Sequence, residues 1–404
     1  MRLLVALFGT VLLLAGCGDV PEAEGDLEGL PWAAVETRAQ GQTVNLMMWT
    51  GDPFINDYLR GYVAPTLLDR YGVTLNLSSG QGSQIVAMLM TEIEAGKGKS
   101  ELDMMWINGE TFYQLRQIDA LYGPFTDRLP NAQYIDFGNP FIGIDFQQPV
   151  EGYEAPWGNV QLTVIYDTTR TPNPPRTREA LAAWVEAHPG RFTFDNAFTG
   201  MSFLKSLLID IAGGPGVLDG PYDADKYARY APALWAYVNG IKKYFWKAGE
   251  TYPNSVAQLH QMFAGGEVDF TMSNNDGEVD NKVLQGLFPP TARAYVLDSG
   301  TIQNSHYMGI VKTAPNKAGA MVAINFLISP EAQLRKLDPQ VWGDGTVLAP
   351  DRLPPEWQAP FENLPTRRHA PKRSEIQDKA LQELAPEYMI RLYEDFRTQV
   401  IEQR

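Results

Sequence analysis

TVNLMMW (residues 43–49) is an uninterrupted apolar run, as expected for a strand in a sheet that is covered on both faces. Two further runs of this kind follow it, VTLNLSS (73–79) and LDMMWING (102–109). Residues 56–71 and 83–95, which lie between the runs, carry apolar residues at three- and four-residue spacing, and this spacing predicts helices. The order strand, helix, strand, helix, strand with short connections predicts parallel βαβ units in an α/β domain.

A second α/β pattern follows the first. It begins with a strand predicted over residues 160–166, which comes directly after a turn expected at Pro156-Trp157-Gly158. RFTFD (191–195) predicts another strand, and residues 199–213 predict a helix with Thr199 as its N-cap. Two units of this size agree with a chain of 404 residues.

Capping residues mark the starts of other predicted helices. Thr177 is a good N-cap for the helix that follows it. Ser329-Pro330-Glu331 predicts another start, because Ser caps, Pro fits the first helical position and Glu complements the helix dipole. Near the C-terminus, residues 374–403 predict a long helix that is interrupted at Pro386.

The only cysteine of the chain, Cys17, comes at the end of an apolar N-terminal segment. Arg2 precedes the apolar run from Leu3 to Leu14, which has the length of a secretory signal core and is too short to span a bilayer. Leu14-Ala15-Gly16-Cys17 resembles a bacterial lipobox, in which signal peptidase cuts before the cysteine and a diacylglyceryl group is attached to its sulfur. The alternatives are an ordinary signal cleavage, which would release a soluble protein, and a buried free thiol.

The net charge of −15 restricts the partners that we expect. Nucleic acids require basic patches, and anionic lipid surfaces repel an acidic protein, so neither is a predicted partner. Attachment to a membrane would therefore depend on the lipid anchor alone. The apolar fraction of 44% is ample for packed cores, and no later segment has eighteen uninterrupted apolar residues.

Metal-binding and catalytic motifs are weak in this sequence. The four histidines (His188, His260, His306 and His369) are far apart and no HExxH or Cys-rich spacing occurs, so we predict neither a metal nor a cofactor. Ser202, His306 and Asp276 are the residues that an envelope-attached hydrolase might use. Because no G-x-S-x-G nucleophile elbow is present, we expect that the protein is not an enzyme.

Several segments, in their order along the chain, resemble an ABC-importer substrate-binding protein, and FLISPEAQ (326–333) is a familiar piece of such proteins. The similarity is closer to the YnjB-type family of importer binding lipoproteins and covers essentially the whole mature chain. The segments that carry it are WTGDPFINDYL (49–59), LDMMWINGE (102–110), APWGNVQL (155–162) and DSGTIQNSHYMGI (298–310).

This resemblance implies a two-domain clamshell of the type II periplasmic binding proteins, in which two α/β lobes joined by a hinge close over a solute. It also implies a monomer without cofactor that delivers a small-molecule solute to a membrane permease with its cytoplasmic ATPase. The expected parts are a signal peptide (1–16), a lipid-anchored acidic tether (17–42), the first part of lobe 1 (43–160), lobe 2 (161–297), and a return to lobe 1 with the C-terminal helices (298–404).

Ligands of open α/β sheets bind beyond the carboxyl ends of the strands, and this rule selects seven loops of the sequence. The predicted ligand-binding residues in these loops are Trp49, Gly51, Asp52, Gly82, Ser83, Trp106, Asn108, Glu110, Trp157, Thr199, Ser202, Asn274, Asn275, Asp276, Gln303, Asn304 and Tyr307. Structural roles remain open for some of them. The structural alternative for Trp49 and Trp106 is capping of the core, the alternative for Trp157 is packing at the hinge, and the alternative for Asp276 is turn formation alone.

None of these loops contains Lys or Arg, whereas they hold aromatic and acidic side chains. Aromatic faces attract cations and carboxylates add charge-assisted hydrogen bonds, so the sequence favours an organic cation such as a thiamine-like, polyamine-like or quaternary amine compound. A neutral sugar or polyol is the alternative ligand, because Trp faces and carboxylates also hold sugars.

Overall fold

The computed structural model describes residues 27–364 and 367–402. Cys17 and the signal sequence predicted before it lie outside the described residues. Within the described ranges, no helix is both long enough and apolar enough to cross a membrane.

The strands form three sheets. A six-stranded sheet has the order β11-β10-β3-β1-β2, with β6 also paired to β10, while β8-β7-β9 form a three-stranded sheet and β4-β5 a short hairpin. The strands are β1 (Thr43–Met48), β2 (Thr74–Ser79), β3 (Met104–Ile107), β4 (Ile144–Asp145), β5 (Gln148–Pro149), β6 (Glu154–Gln161), β7 (Thr163–Asp167), β8 (Phe270–Ser273), β9 (Ala292–Tyr295), β10 (Thr301–Ile310) and β11 (Ala380–Leu381).

The helices alternate with these strands or pack on the outside of the sheets. In chain order they are α1 (Trp32–Ala39), α2 (Pro53–Tyr58), α3 (Ala64–Tyr71), α4 (Gly82–Glu94), α5 (Gly109–Gln117), α6 (Pro140–Gly143), α7 (Arg178–Ala187), α8 (Phe198–Ala212), α9 (Ala224–Lys242), α10 (Val256–Ala264), α11 (Glu278–Leu284), α12 (Lys317–Leu327), α13 (Pro330–Leu337), α14 (Pro355–Glu362), α15 (Arg373–Ile376) and α16 (Pro386–Asp395). A π-helical turn, Leu59–Val63, joins α2 to α3.

The parallel βαβ units that the apolar runs predict are confirmed. Strand β1 pairs in parallel with β2 on one side and with β3 on the other. Strand β10 then adds to β3 in the antiparallel direction, so the larger sheet is mixed. In contrast, β7 pairs antiparallel with both β8 and β9.

Among the described residues, the buried side chains form three clusters, one in lobe 1 and two on the three-stranded sheet of lobe 2. Lobe 1 is built around the larger sheet, and its core includes Leu46, Met105 and Ile324, each fully buried. Lobe 2 is built around the three-stranded sheet, and its core includes Phe194 and Leu208. The chain passes from lobe 1 to lobe 2 between β6 and β7 and returns between β9 and β10.

Two predicted segments take a different structure at the ends of the chain. The tether expected over residues 17–42 includes α1, whose Val35 and Ala39 are fully buried in the core of lobe 1. The long C-terminal helix expected over residues 374–403 is also wrong, because β11 lies within it and α16 begins only at Pro386. Helix α16 packs into the core of lobe 2, where Tyr388 and neighbouring apolar side chains require burial.

The turn predicted at Pro156-Trp157-Gly158 is wrong, because these residues lie inside β6. Opposite them on β10, His306 pairs with Gly158 and Tyr307 pairs with Pro156, so Trp157 is the additional residue of a β-bulge. RFTFD (191–195) does not form the predicted strand. The helix predicted to start after Thr199 begins earlier, with Ala197 at the N-cap position and Thr199 in the first turn.

Candidate ligand-binding site

A cavity of about 560 Å³ lies between the two lobes. Lobe 1 contributes the ends of β1 and β3 and the first turns of α4 and α5, and lobe 2 contributes the starts of α8, α10 and α11. The residues around it are Trp49, Ile55, Gly80, Gln81, Gly82, Ser83, Trp106, Ile107, Asn108, Glu110, Thr111, Val160, Asp195, Asn196, Ala197, Phe198, Thr199, Ser255, Val256, Ser273, Asn274, Asn275, Glu278, Asn304, Ser305, His306, Trp342, Asp344 and Tyr393. The cavity is thus where the strand-end rule predicts a ligand.

Close packing of two helix starts shapes the lobe 1 wall. Helix α4 begins at Gly82, where a Cβ atom would collide with the hydroxyl of Thr111 on α5. Glycine at this position therefore lets the two helices approach each other. As a result, Ser83 and Glu110, which follow these starts, face one cavity.

In lobe 2, a second close contact holds Asp195. The backbone carbonyl of Asp195 lies where a Cβ atom on Gly200 of α8 would be, so only glycine fits there. The Oδ1 atom of Asp195 accepts a hydrogen bond from the backbone N–H of Ala197 at 3.0 Å. The side chain of Asp195 is thereby held at the start of α8, and it is completely buried.

Aromatic rings form one side of the cavity. The rings of Trp106 and Trp342 have their centroids 6.1 Å apart, and the His306 ring lies 5.0 Å from Trp106. Trp157 packs behind them, edge-on to Trp106 at 5.2 Å, and is fully buried. The bulge in β6 therefore turns Trp157 into a support for the aromatic wall rather than a part of it.

Two of the four cavity carboxylates have internal counter-charges. Asp344 accepts hydrogen bonds from the buried ammonium group of Lys336 and lies 3.1 Å from Nε2 of His306. Burial alone would raise the pKa of Asp344, but its interactions with His306 and Lys336 hold that pKa below the ordinary value. Similarly, Glu278 lies 3.3 Å from Lys282.

The other two carboxylates, Glu110 and Asp195, have no such compensation. One oxygen of each, Oε2 of Glu110 and Oδ2 of Asp195, is buried and has no hydrogen-bond partner among the described residues. Burial raises the pKa of Glu110 to about 7, with Glu383 adding to the rise and Lys205 opposing it. Burial also raises the pKa of Asp195 to about 6. No Lys or Arg of the described chain lines the cavity.

The structure brings ten of the predicted site residues together around the cavity. These are Trp49, Gly82, Ser83, Trp106, Asn108, Glu110, Thr199, Asn274, Asn275 and Asn304. Some of their polar groups are already engaged within the protein. Asn274 donates a hydrogen bond to Oγ1 of Thr199 at 3.0 Å, and Asn304 donates one to Glu383 at 2.9 Å.

Seven predicted residues do not line the cavity: Gly51, Asp52, Trp157, Ser202, Asp276, Gln303 and Tyr307. Gly51 supports the site indirectly, because it packs against the indole ring of Trp49. Ser202 is buried within α8 and donates its hydroxyl to the carbonyl of Phe198 at 3.0 Å. Gln303 donates to Asn159 at 2.9 Å, and the buried Tyr307 donates to the carbonyl of Ile142.

The two remaining residues, Asp52 and Asp276, are paired with cations. Asp52 caps α2 and accepts a hydrogen bond from Lys282 of the opposite lobe. Asp276 is completely buried between Arg367 and Arg373. Because Ser202 and Asp276 both lie away from the cavity that His306 lines, the three residues considered for a hydrolase do not form a catalytic site.

Strand-end reasoning missed several cavity residues. They include Asp195, Asn196, Ser255, Val256, Trp342 and Tyr393. Asp195 had a detectable signal, since an acidic residue just before a helix, here three positions before the first residue of α8, is common in caps and turns. Trp342 and Tyr393 come from segments far along the chain, and no local pattern connects them with the site.

Comparison with known proteins assigns the chain to a family. The model of the bacterial extracellular solute-binding protein family matches residues 64–365. The chain is also 36% identical over 327 residues to the protein YnjB of Escherichia coli K12, a match that covers 80% of this chain and 84% of that protein.

Solved structures of other binding proteins show the same fold. The spermidine/putrescine ABC transporter substrate-binding protein PotD of Streptococcus pneumoniae superposes with a TM-score of 0.60 at 15% identity, covering 89% of this chain and 98% of that one. The periplasmic binding protein AfuA of Actinobacillus pleuropneumoniae, with fructose-6-phosphate bound, superposes with a TM-score of 0.63 at 13% identity. This match covers 89% of this chain and 98% of that one. These likenesses confirm the two-lobed fold of the type II periplasmic binding proteins, and the match to a solute-binding family confirms the prediction that the chain is not an enzyme. The chain belongs to the family of bacterial extracellular solute-binding proteins.

Proposed function

We propose that this protein is the substrate-binding lipoprotein of an ABC importer and that it captures a small organic cation between its lobes. The loaded protein then delivers the solute, of a thiamine-like, polyamine-like or quaternary amine kind, to a membrane permease with its cytoplasmic ATPase. Membership of the solute-binding family and the likeness to ABC-transporter binding proteins support the transport role. A diacylglyceryl group on Cys17 holds the monomeric protein at the cell envelope.

The observation that carries the choice of a cation is the state of Glu110 and Asp195. Each has a buried carboxylate oxygen without a hydrogen-bond donor, in a cavity without Lys or Arg among its described lining residues. A buried carboxylate without a partner is costly, and a bound cation supplies both the charge and the hydrogen bonds that are missing.

Aromatic rings add to the attraction of a cation. Trp49, Trp106 and Trp342 line the same cavity as the two carboxylates. A desolvated cation–π contact contributes about 2 kcal/mol. Together with charge-assisted hydrogen bonds, such contacts reach the roughly −8 kcal/mol of a micromolar complex.

Titration calorimetry tests the cation proposal directly. We expect putrescine, thiamine or choline to bind, and the affinity to fall as the salt concentration rises from about 20 to 300 mM, because salt screens charge–charge attraction. A neutral hexose serves as the comparison. If a hexose binds tightly and independently of salt while no cation gives a heat of binding, the ligand is a sugar and the cation proposal is wrong.

The sugar alternative has its own support in the structure. Asn108, Asn274 and Asn275 provide amide groups at the cavity, and tryptophan faces stack on sugar rings. The calorimetric comparison therefore includes both classes of ligand.

The anchor proposal has an independent test. Mass spectrometry of the protein purified from bacterial envelopes should show an N-terminal Cys17 that carries a diacylglyceryl group. The Cys17→Ala variant should lose the modification and appear in the soluble fraction. An unmodified N-terminus in the wild-type protein would refute lipidation and leave the solute-binding proposal unchanged.

A further inference from the structure

The two uncompensated carboxylates of the cavity belong to different lobes. Glu110 is in the first turn of α5, which packs into the core of lobe 1. Asp195 follows Phe194, whose ring is part of the core of lobe 2. A ligand that satisfies both carboxylates must therefore contact both lobes.

Neighbouring cations do not satisfy either carboxylate. Lys205, whose charge acts on Glu110, is completely buried and its ammonium group is bound to Glu383. The same ammonium lies 4.2 Å from the ring centroid of Phe146, and it is not among the residues that line the cavity. The ammonium group of Lys205 therefore interacts with Glu383 and Phe146 outside the cavity.

Tyr393 lines the same cavity as Glu110 and Asp195. Burial and the charges of both carboxylates raise the pKa of Tyr393. When both carboxylates are ionised they carry two negative charges on different lobes, so a ligand with one positive charge leaves one of them without a counter-charge.

We infer that the ligand carries two cationic centres, one bound by Glu110 of lobe 1 and the other by Asp195 of lobe 2. This inference rests on the proposed cation-binding function and makes it more specific. Because each end of such a dication contacts a different lobe, the dication stabilises the closed arrangement more than a monocation does. A compound with one charge satisfies one carboxylate and leaves the other buried without a partner.

The experiment compares diamines with a monoamine of equal length. Calorimetry at pH 8 and low salt measures the affinity of the wild-type protein for α,ω-diaminoalkanes with three to six carbons and for butylamine. We expect the best diamine to bind at least 30-fold more tightly than butylamine. We also expect Glu110→Gln and Asp195→Asn each to reduce the diamine affinity to the level of butylamine.

Matched control variants remove an exposed carboxylate from each lobe. Glu94→Gln on α4 and Asp219→Asn in lobe 2 change the net charge equally without touching the cavity, and both should retain the preference for diamines. Circular dichroism at the assay temperature verifies that each variant is folded.

Three outcomes would overturn the inference. Equal affinities for butylamine and the best diamine would refute the two cationic centres while leaving the cation-binding function intact. A diamine preference that survives in both cavity variants would refute the assigned residues. If no amine binds and a neutral hexose does, both the inference and the proposed function fail.

Discussion

At the residue scale, the burial of Glu110 lowers the stability of the folded protein. Its pKa is about 7 in the folded protein against an ordinary value of 4.5, so the folded state resists ionisation between these values. Glu110 therefore lowers the free energy of unfolding progressively as the pH rises from about 4.5 to 7, and the full cost, on the order of 3 kcal/mol, is present at pH 8. Binding sites commonly carry such a cost.

The Glu110→Gln variant tests this cost without any ligand. We expect the variant to unfold at a higher temperature than the wild-type protein at pH 8, by roughly 2–4 °C for each 1 kcal/mol recovered, because the amide cannot ionise. The difference should shrink at pH 5, where the wild-type carboxyl is protonated. Differential scanning calorimetry at both pH values measures it, and an unfolding temperature below wild type at pH 8 would contradict the assigned burial cost.

The pH dependence of amine binding follows from the same two residues. Cation binding needs ionised carboxylates, and burial places the pKa of Glu110 at about 7 and that of Asp195 at about 6. We therefore expect the affinity for putrescine to decrease from pH 8 to pH 5, by up to about tenfold per pH unit for each group that has become protonated. Calorimetry across this range measures the profile. The double variant Glu110→Gln/Asp195→Asn should show little dependence, and a flat wild-type profile would count against carboxylate binding.

At the scale of the element, the start of α8 positions Asp195 by close contact. A methyl group at Gly200 would collide with the carbonyl oxygen of Asp195, so Gly200→Ala should displace the carboxylate from the cavity. We expect at least a tenfold loss of amine affinity, because site geometry within about 0.5 Å is required for such contacts. Gly240→Ala on α9 is the control, since its Cβ would meet no atom within 4 Å. Calorimetry should show wild-type affinity for Gly240→Ala, and the same result for Gly200→Ala would show that α8 does not hold Asp195.

The bulge in β6 has a similar positioning role. It removes Trp157 from the cavity and places its ring 5.2 Å from that of Trp106, so that the aromatic wall has a rigid support. Its neighbour Gly158 faces His306 and Asp344 so closely that no side chain fits there. The strand irregularity thereby fixes both the aromatic wall and the Asp344–His306 contact.

At the scale of the whole molecule, an ion pair joins the lobes beside the cavity. Lys282 of α11 in lobe 2 binds Asp52, the N-cap of α2 in lobe 1, and the two side chains are 4% and 7% exposed. Lys282 also contacts Glu278, which lines the cavity. Attraction between the lobes therefore exists independently of a ligand and favours the closed arrangement.

Breaking this pair should open or destabilise the protein. We expect Lys282→Met to leave Asp52 as a buried uncompensated charge and to cost about 3–5 kcal/mol, either in unfolding free energy or as a shift to an open form with a larger radius of gyration. Denaturant unfolding and small-angle scattering measure the two effects. The double variant Asp52→Asn/Lys282→Met should recover part of the loss. Unchanged stability and scattering in the single variant would mean that the pair does not hold the lobes together.

Local patterns in the sequence determined the first three strands of the larger sheet, several helix starts and the strand ends that meet at the cavity. The apolar runs at β1, β2 and β3 form the predicted parallel pairs, and Thr177 and Ser329 cap helices as expected. Strand formation and helix capping depend on residues that are a few positions apart in the chain, so local sequence patterns predict them. Once the strands are known, the strand-end rule places Trp106 and Glu110 at the cavity.

Only the tertiary structure decided which polar residues remain available for a ligand. Asp52 and Asp276 fitted the pattern of site residues, but Lys282 lies 230 positions from the first and Arg367 lies 91 positions from the second, and both carboxylates are neutralised. Asp195 had no place in the prediction, yet it is the cavity carboxylate of lobe 2 that is paired with no cation among residues 27–364 and 367–402. Ion pairing depends on distances in space, which the local periodicity of a sequence does not encode, and this is why the charges of the site could be assigned only from the folded chain.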